Sequence, residues 1–200
     1  MTSQGSGSQT VACFARKIRL VATLLYAGCV LGCQQLPIGE AVTAGNANDL
    51  RADLQHEDQL SHINDVCDSS TGRTPLHLAA RRAGKDDEEI VQLLLNAGAS
   101  VYITDRLAQT PLHLAAQQDN PKIVMLLIQH GSQVSRPDDN GQTPLHLAAE
   151  SGKIEVIEEL LKAPDLELNK QDNDGKTAYQ LAVEYNHPDV AALLQQHEAK

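Results

Sequence analysis

Apolar residues from about position 74 onward come in paired bursts divided by polar stretches. The first member of each pair is short: Leu76, Leu78, Ala79 and Ala80, then Leu112, Leu114, Ala115 and Ala116, then Leu145, Leu147, Ala148 and Ala149. The second is more aliphatic: Ile90, Val91 and Leu93 to Leu95; Ile123 to Ile128; Ile154, Val156, Ile157, Leu160 and Leu161; and Val190, Leu193 and Leu194. The short bursts sit in one heptad, Thr-Pro-Leu-His-Leu-Ala-Ala, which starts at Thr74, Thr110 and Thr143, with a looser copy from Thr177 to Val183. Those starts are 36, 33 and 34 residues apart. Self-similarity at such a period denotes one supersecondary unit stacked on copies of itself.

The heptad reads as a helix start. A Thr at the N-cap accepts a bond from an orphan amide of the first turn, and a Pro behind it stands where its missing N–H costs nothing. Leu supplies bulk and the paired Ala let a second helix approach closely. Gly84, Asp119-Asn120, Gly152 and Asn186 then provide residues suited to a left-handed helix exit. Pro121 and Pro188 open the second helix in two of the units. Each unit therefore predicts helix, turn, helix and a polar loop, with apolar faces that only neighbouring units can cover. The longer first spacing places three extra residues between Arg81 and Glu89, enlarging the turn between the helices of that unit.

These motifs resemble the ankyrin repeat family, whose pattern is Thr-Pro-Leu-His-x-Ala with a later Gly-Ala before a β-turn finger. Gly98-Ala99 matches, Gly131-Ser132 nearly does and Ala163-Pro164 departs. Gly72, Gly141 and Gly175 match the finger glycine, whereas Ala108 replaces it and predicts an altered second turn. The resemblance implies an all-α ankyrin-repeat solenoid of stacked helix-turn-helix units with β-turn fingers. Its expected divisions are a degenerate N-terminal capping repeat and connector at 41–71, repeats at 72–107, 108–140 and 141–174, and a C-terminal capping repeat at 175–200. Gly45, Leu50 and Leu54 mark the helices of the degenerate cap.

The same resemblance implies a protein partner bound on the concave side, by finger tips and the exposed ends of the first helices. Counted from the motif Thr, the residue before it gives Arg73, Gln109, Gln142 and Lys176. Seven places after, the column is Arg81, Gln117, Glu150 and Glu184; one further, it is Arg82, Gln118, Ser151 and Tyr185. Arg106 adds a charge to the second finger. This surface runs from basic to acidic along the stack and predicts an acidic patch on the partner facing the arginines.

The N-terminus carries a separate signal. Arg16-Lys17-Ile18-Arg19 is a basic segment before an apolar run of 13 residues, Leu20 to Gly32. That run is short of the ~20 residues a spanning helix needs, and suits the core of a signal peptide. Gly32-Cys33 at its end resembles a bacterial lipobox, which implies a lipoprotein-type signal peptide at 1–32, lipidation of Cys33, with Cys29 as the alternative, and a tether at 33–40. Gln34, being other than Asp, implies the outer membrane by the rule of that family, facing the periplasm. Cys67 is then the only other Cys of the mature chain, and it reads either as an inert small residue or as a thiol open to intermolecular pairing.

Composition narrows the function classes. With Arg16, Lys17 and Arg19 set aside, 13 of the 16 Lys and Arg remain against 26 Asp and Glu, a balance of −13. Such a surface repels nucleic acid. No phosphate-binding Gly loop and no nucleophile elbow occurs, so no enzyme, cofactor or small-molecule substrate is expected. His77, His113 and His146 recur at one register, but they lack the short Cys/His spacing of a metal site, and the family resemblance gives this His a hydrogen-bonding role with the motif Thr. The expected function is a non-catalytic, lipid-anchored protein-binding module of the bacterial envelope. A scaffold, an immunity protein against a periplasmic toxin, and an accessory to a periplasmic enzyme such as a catalase all fit that description.

Overall fold

The structure is a computed structural model that describes residues 37–82, 84 and 87–198. The expected signal peptide, Cys29, Cys33 and Gln34 lie outside the described residues. Eleven helices occur among the latter, and they fall into two rows. The inner row is α1 (Pro37–Ala44), α4 (Pro75–Ala80), α6 (Pro111–Ala116), α8 (Pro144–Glu150) and α10 (Ala178–Glu184). The outer row is α2 (Ala47–Asp53), α5 (Asp87–Asn96), α7 (Pro121–Gln129), α9 (Ile154–Leu160) and α11 (Pro188–Glu198), and a single turn, α3 (Glu57–Leu60), follows the first pair. Each helix packs on the next member of its own row.

This arrangement follows from which side chains each helix buries. Leu76, Ala79 and Ala80 of α4, Leu112, Ala115 and Ala116 of α6, and Leu145, Ala148 and Ala149 of α8 are almost fully buried. From the outer row, Ile90, Leu94, Ile123, Leu127, Ile157 and Leu160 complete one continuous apolar cluster. Burying one such Leu or Ile is worth roughly 1.5–3 kcal/mol, and here the cluster runs through each helix pair and on into its neighbours.

The first helix corrects one expected boundary. Residues 37–40 lie in α1 instead of the tether at 33–40, because Ile38 and Val42 are fully buried on one face of it. Gly45, at φ +68°, turns the chain into α2, and Asn46 caps α2 by accepting from the amides of Asn48 and Asp49. Gly39 packs against the buried Cys67, whose sulfur would lie 3.0 Å from a Cβ at that position.

Helix exits explain the lengths of the outer row. Gly98 and Gly131, at φ +90° and +86°, end α5 and α7, and the amides of Ala99 and Ser132 bond back to the carbonyls of Leu94 and Leu127. That is the glycine-terminated closure of a helix end. Ala163 has no such freedom, and α9 stops at Leu160 after only seven residues. Among the inner exits, Gly152 and Asn186 adopt positive φ as expected. Asn120 does not; it caps α7 instead, its carboxamide oxygen accepting from the Ile123 amide.

Candidate functional site

The fingers between units share one construction. Asp105, Asp138 and Asp172 stand five residues before the motif Thr, and one carboxylate oxygen of each closes its turn. Asp105 accepts from the amides of Leu107 and Gln109 at 2.9 and 3.1 Å, Asp138 from Asn140 and Gln142 at 2.9 Å each, and Asp172 from Asp174 and Lys176 at 3.0 and 2.8 Å. Main-chain bonds join each finger to the next: Arg106 N–H to Thr71 at 2.8 Å, Asp139 N–H to Leu107 at 3.1 Å and Asn173 N–H to Asn140 at 3.0 Å. The turn needs a left-handed residue two before the Thr. Gly72, Gly141 and Gly175 supply it, and Ala108 adopts it as well, at φ +57°. The expected altered turn at Ala108 is therefore not found: the Asp105 carboxylate and the neighbouring fingers hold the shared geometry against the strain of an L-residue there.

Behind each finger a histidine locks the stack. Nδ1 of His77, His113 and His146 accepts from the amide of Thr74, Thr110 and Thr143 at 3.3, 3.1 and 3.1 Å, with the Thr hydroxyl 2.8 Å away in all three. Nε2 faces the carbonyl of Gln109, Gln142 and Lys176 in the following unit, at 3.1, 3.3 and 3.1 Å. A carbonyl only accepts, so Nε2 carries the proton and Nδ1 the lone pair. Burial holds all three rings below their ordinary pKa, outweighing the carbonyl bonds and nearby carboxylates that favour the charged form. Both nitrogens are thus committed within the fold. The last unit has Gln180 in this place, and its side-chain oxygen accepts from Thr177 N–H at 2.9 Å.

Several residues expected to face a partner are used inside the stack. Arg73 is buried, and its Nε donates to the second carboxylate oxygen of Asp105 at 3.1 Å. Gln109 is buried likewise, its amide donating to Asp138 at 3.0 Å. Both correct the expectation, and the reason is geometric: the residue before the motif Thr lies within reach of the Asp of the next finger. Arg82 is also claimed, donating from Nε to buried Asp87 at 2.9 Å and from Nη1 to the Thr43 carbonyl at 2.5 Å. Six residues separate α4 from α5, which lets Arg82 fold back onto the end of α1, where helix carbonyls favour a cation.

The rest of the expected set stays accessible. Arg81, Arg106, Glu184 and Tyr185 are exposed, and Gln117, Gln118, Gln142 and Glu150 are half-buried. Gln142 breaks the finger ladder: its amide turns to Glu150 at 3.4 Å instead of to the following Asp. A cleft of about 240 Å³ opens there, lined by Asn140, Gln142 and Glu150 of one unit and by Asp172, Asn173, Asp174 and Tyr185 of the next. The charge of Glu150 and its bond to the phenol push the Tyr185 pKa up, and Lys176 is raised by its 2.5 Å bond to Glu184. The cleft shows which register positions share a face: finger tips, the residue before the Thr, and inner-helix ends. Leu107, Asn140, Asn173 and Asp174, at the tips, belong to that face and were not singled out from the sequence. The recurrent Asp105, Asp138 and Asp172 were the signal that marks them.

Residues 82–172 match the family model for ankyrin repeats, described as three copies. The stack of helix pairs and fingers is accordingly an ankyrin-repeat solenoid, and ankyrin repeats are a protein–protein interaction module. The chain is also similar to neurogenic locus notch homolog protein 1 of Xenopus laevis, 32% identical over 130 residues, 64% of this chain and 5% of that protein. The counterpart in Xenopus tropicalis is 32% identical over 125 residues, 62% of this chain and again 5% of its own length. The chain thus spans about a twentieth of the curated relatives it matches.

Proposed function

We propose that this ankyrin-repeat stack is a non-catalytic adaptor that binds a protein partner across its finger tips and inner-helix ends, and that lipid at Cys33 holds it in a bacterial envelope. One observation carries the first part. Buried side chains of the fingers are consumed in a fixed ladder, while the tips and helix ends between them present an aligned, accessible row from exposed Arg81 and Arg106 to half-buried Glu150 and exposed Tyr185. A row held on rigid elements offers a preorganised surface whose contacts lose little entropy on binding. The outer row is occupied with packing and helix closure.

The adaptor reading is tested by capture from envelope extracts with the wild-type chain and with two variants at opposite ends of that row, Arg81→Glu with Arg106→Glu, and Glu150→Lys with Tyr185→Ala. A partner held by the wild type and lost from either folded variant supports it; a partner retained equally by all three contradicts it. The anchoring reading rests on the basic segment, the short apolar run and Gly32-Cys33. Cys33→Ser is expected to block lipid attachment and leave full-length precursor. Normal processing of that variant, with Cys29→Ser defective instead, moves the site to Cys29. A lipobox cysteine bearing more than one acyl chain gives firmer anchoring than the marginal hold of a single chain.

A further inference from the structure

We infer that the second finger carries the anchor of this contact: Leu107, flanked by Arg106 and Arg81, receives a protein segment that presents an apolar side chain beside carboxylates. The inference rests on the interaction reading above and deepens it by naming the chemistry of the partner.

Leu107 is 53% exposed at the tip of its finger, where the equivalent positions of the other units hold Thr71, Asn140 and Asp174. Its exposure is not that of a loose loop. The Leu107 amide donates to Asp105 at 2.9 Å, its carbonyl accepts from Asp139 at 3.1 Å, and the preceding amide of Arg106 bonds to Thr71 at 2.8 Å. An apolar side chain held outward on a backbone fixed at both sides adds nothing to the core and has little freedom to lose on contact.

The repeat register places the charges around it. In the cleft between the last two units, the tip, the residue before the Thr and the inner-helix end of one unit meet the tip and inner-helix end of the next. Two units earlier the same register brings Thr71, Arg73 and Arg81 together with Arg106, Leu107 and Gln118. Arg73 is drawn down onto Asp105, so Arg81 and Arg106 are the guanidiniums left at the surface beside Leu107. Two exposed arginines around an apolar tip, on a chain of net charge −10, select carboxylates, which guanidinium holds in a planar fork. At the other end of the row Glu150, Asp172 and Asp174 repel the same carboxylates, which sets the position of an acidic segment over the first two full repeats.

The test uses random dodecapeptides displayed on phage, selected against the full chain held in detergent, with the selected peptides then titrated by fluorescence anisotropy. Enriched peptides are expected to combine Asp or Glu with Leu, Ile or Phe. Leu107→Ser, and Arg81→Glu with Arg106→Glu, should each weaken them on the order of tenfold or more, with the arginine effect larger at low salt, and Leu107→Met should preserve binding. All these side chains are exposed, so thermal unfolding of the variants should match the wild type. Basic peptides, no enriched class, or binding untouched by Leu107→Ser overturn the inference. If such peptides are lost with Glu150→Lys and Tyr185→Ala instead, the interaction face stands and the Leu107 anchor falls. Peptides indifferent to every substitution on the face sink both.

Discussion

Lowering the pH from 7.5 to 5.5 should destabilise the stack through its three buried histidines, and the ordinary pKa of a histidine in the unfolded chain caps the size of the loss. Each ring is neutral in the fold, with Nδ1 accepting from a Thr amide and Nε2 donating to the next unit. Burial lowers the pKa of each from its ordinary 6.5. The unfolded chain therefore binds more protons than the folded one once the pH falls below that value, and stability, full above about 6.5, drains away as the pH drops toward the lowered folded pKa. One pKa unit is worth ~1.36 kcal/mol, so with an unfolded value of 6.5 each ring loses at most about 1.4 kcal/mol over this interval, and three at most about 4 kcal/mol. Stopping at pH 5.5 keeps most carboxylates ionised.

Urea unfolding followed by far-ultraviolet circular dichroism at the two pH values measures the loss. The chain supplies its own control, since Gln180 already replaces the histidine in the last unit and keeps the bond to its Thr amide. His146→Gln should cost about 1 kcal/mol at pH 7.5, for the lost bond to the Lys176 carbonyl, and should shrink the pH-dependent loss by about a third. Replacing all three histidines by Gln should remove most of it. A wild type as stable at pH 5.5 as at 7.5, or an unchanged loss in the triple variant, would refute the assignment of neutral, two-sided rings.

Further substitutions test the fingers. Ala108→Gly should raise stability by roughly 0.5–1 kcal/mol in the same assay, since relief at φ +57° exceeds the added freedom of the unfolded chain. Gly141→Ala and Gly175→Ala both place a Cβ at positive φ, but the first meets the Asn173 amide nitrogen at 2.7 Å and the second meets nothing within 4 Å. Gly141→Ala should therefore be the worse by at least about 1 kcal/mol, read as the difference in urea midpoints. Asp105→Ala removes the closure of its turn and strands the buried Arg73, and should cost about 3–5 kcal/mol; a loss below about 1 kcal/mol in chemical denaturation would contradict the ladder.

The helix pairs were legible in the sequence because they depend on short-range register, whereas the histidine bridges, which reach carbonyls 29 to 32 residues on, were implied only by the family resemblance. A heptad that starts with Thr-Pro and ends in Ala-Ala specifies a cap, a buried face and a close neighbour, whatever lies further along the chain. The partner-facing columns were legible only in part. Arg73, Arg82 and Gln109 read as surface residues because a charged or polar side chain usually is one, and their partners lie 32, 5 and 29 residues away, two of them in the next finger. Leu107 escaped notice for the opposite reason: a lone Leu in a loop looks like core, and only the bonded backbone of the finger turns it outward.

The central claim is that a protein is bound on the finger and inner-helix face, and photo-crosslinking in living cells tests it most directly. A photoreactive amino acid is placed singly at Leu107, Gln118 and Tyr185 on that face, and at Lys122, Gln129 and Glu158 on the exposed side of the outer helices. The account predicts a protein adduct of one discrete mass from the first three positions and none from the second three. The reverse distribution would contradict it.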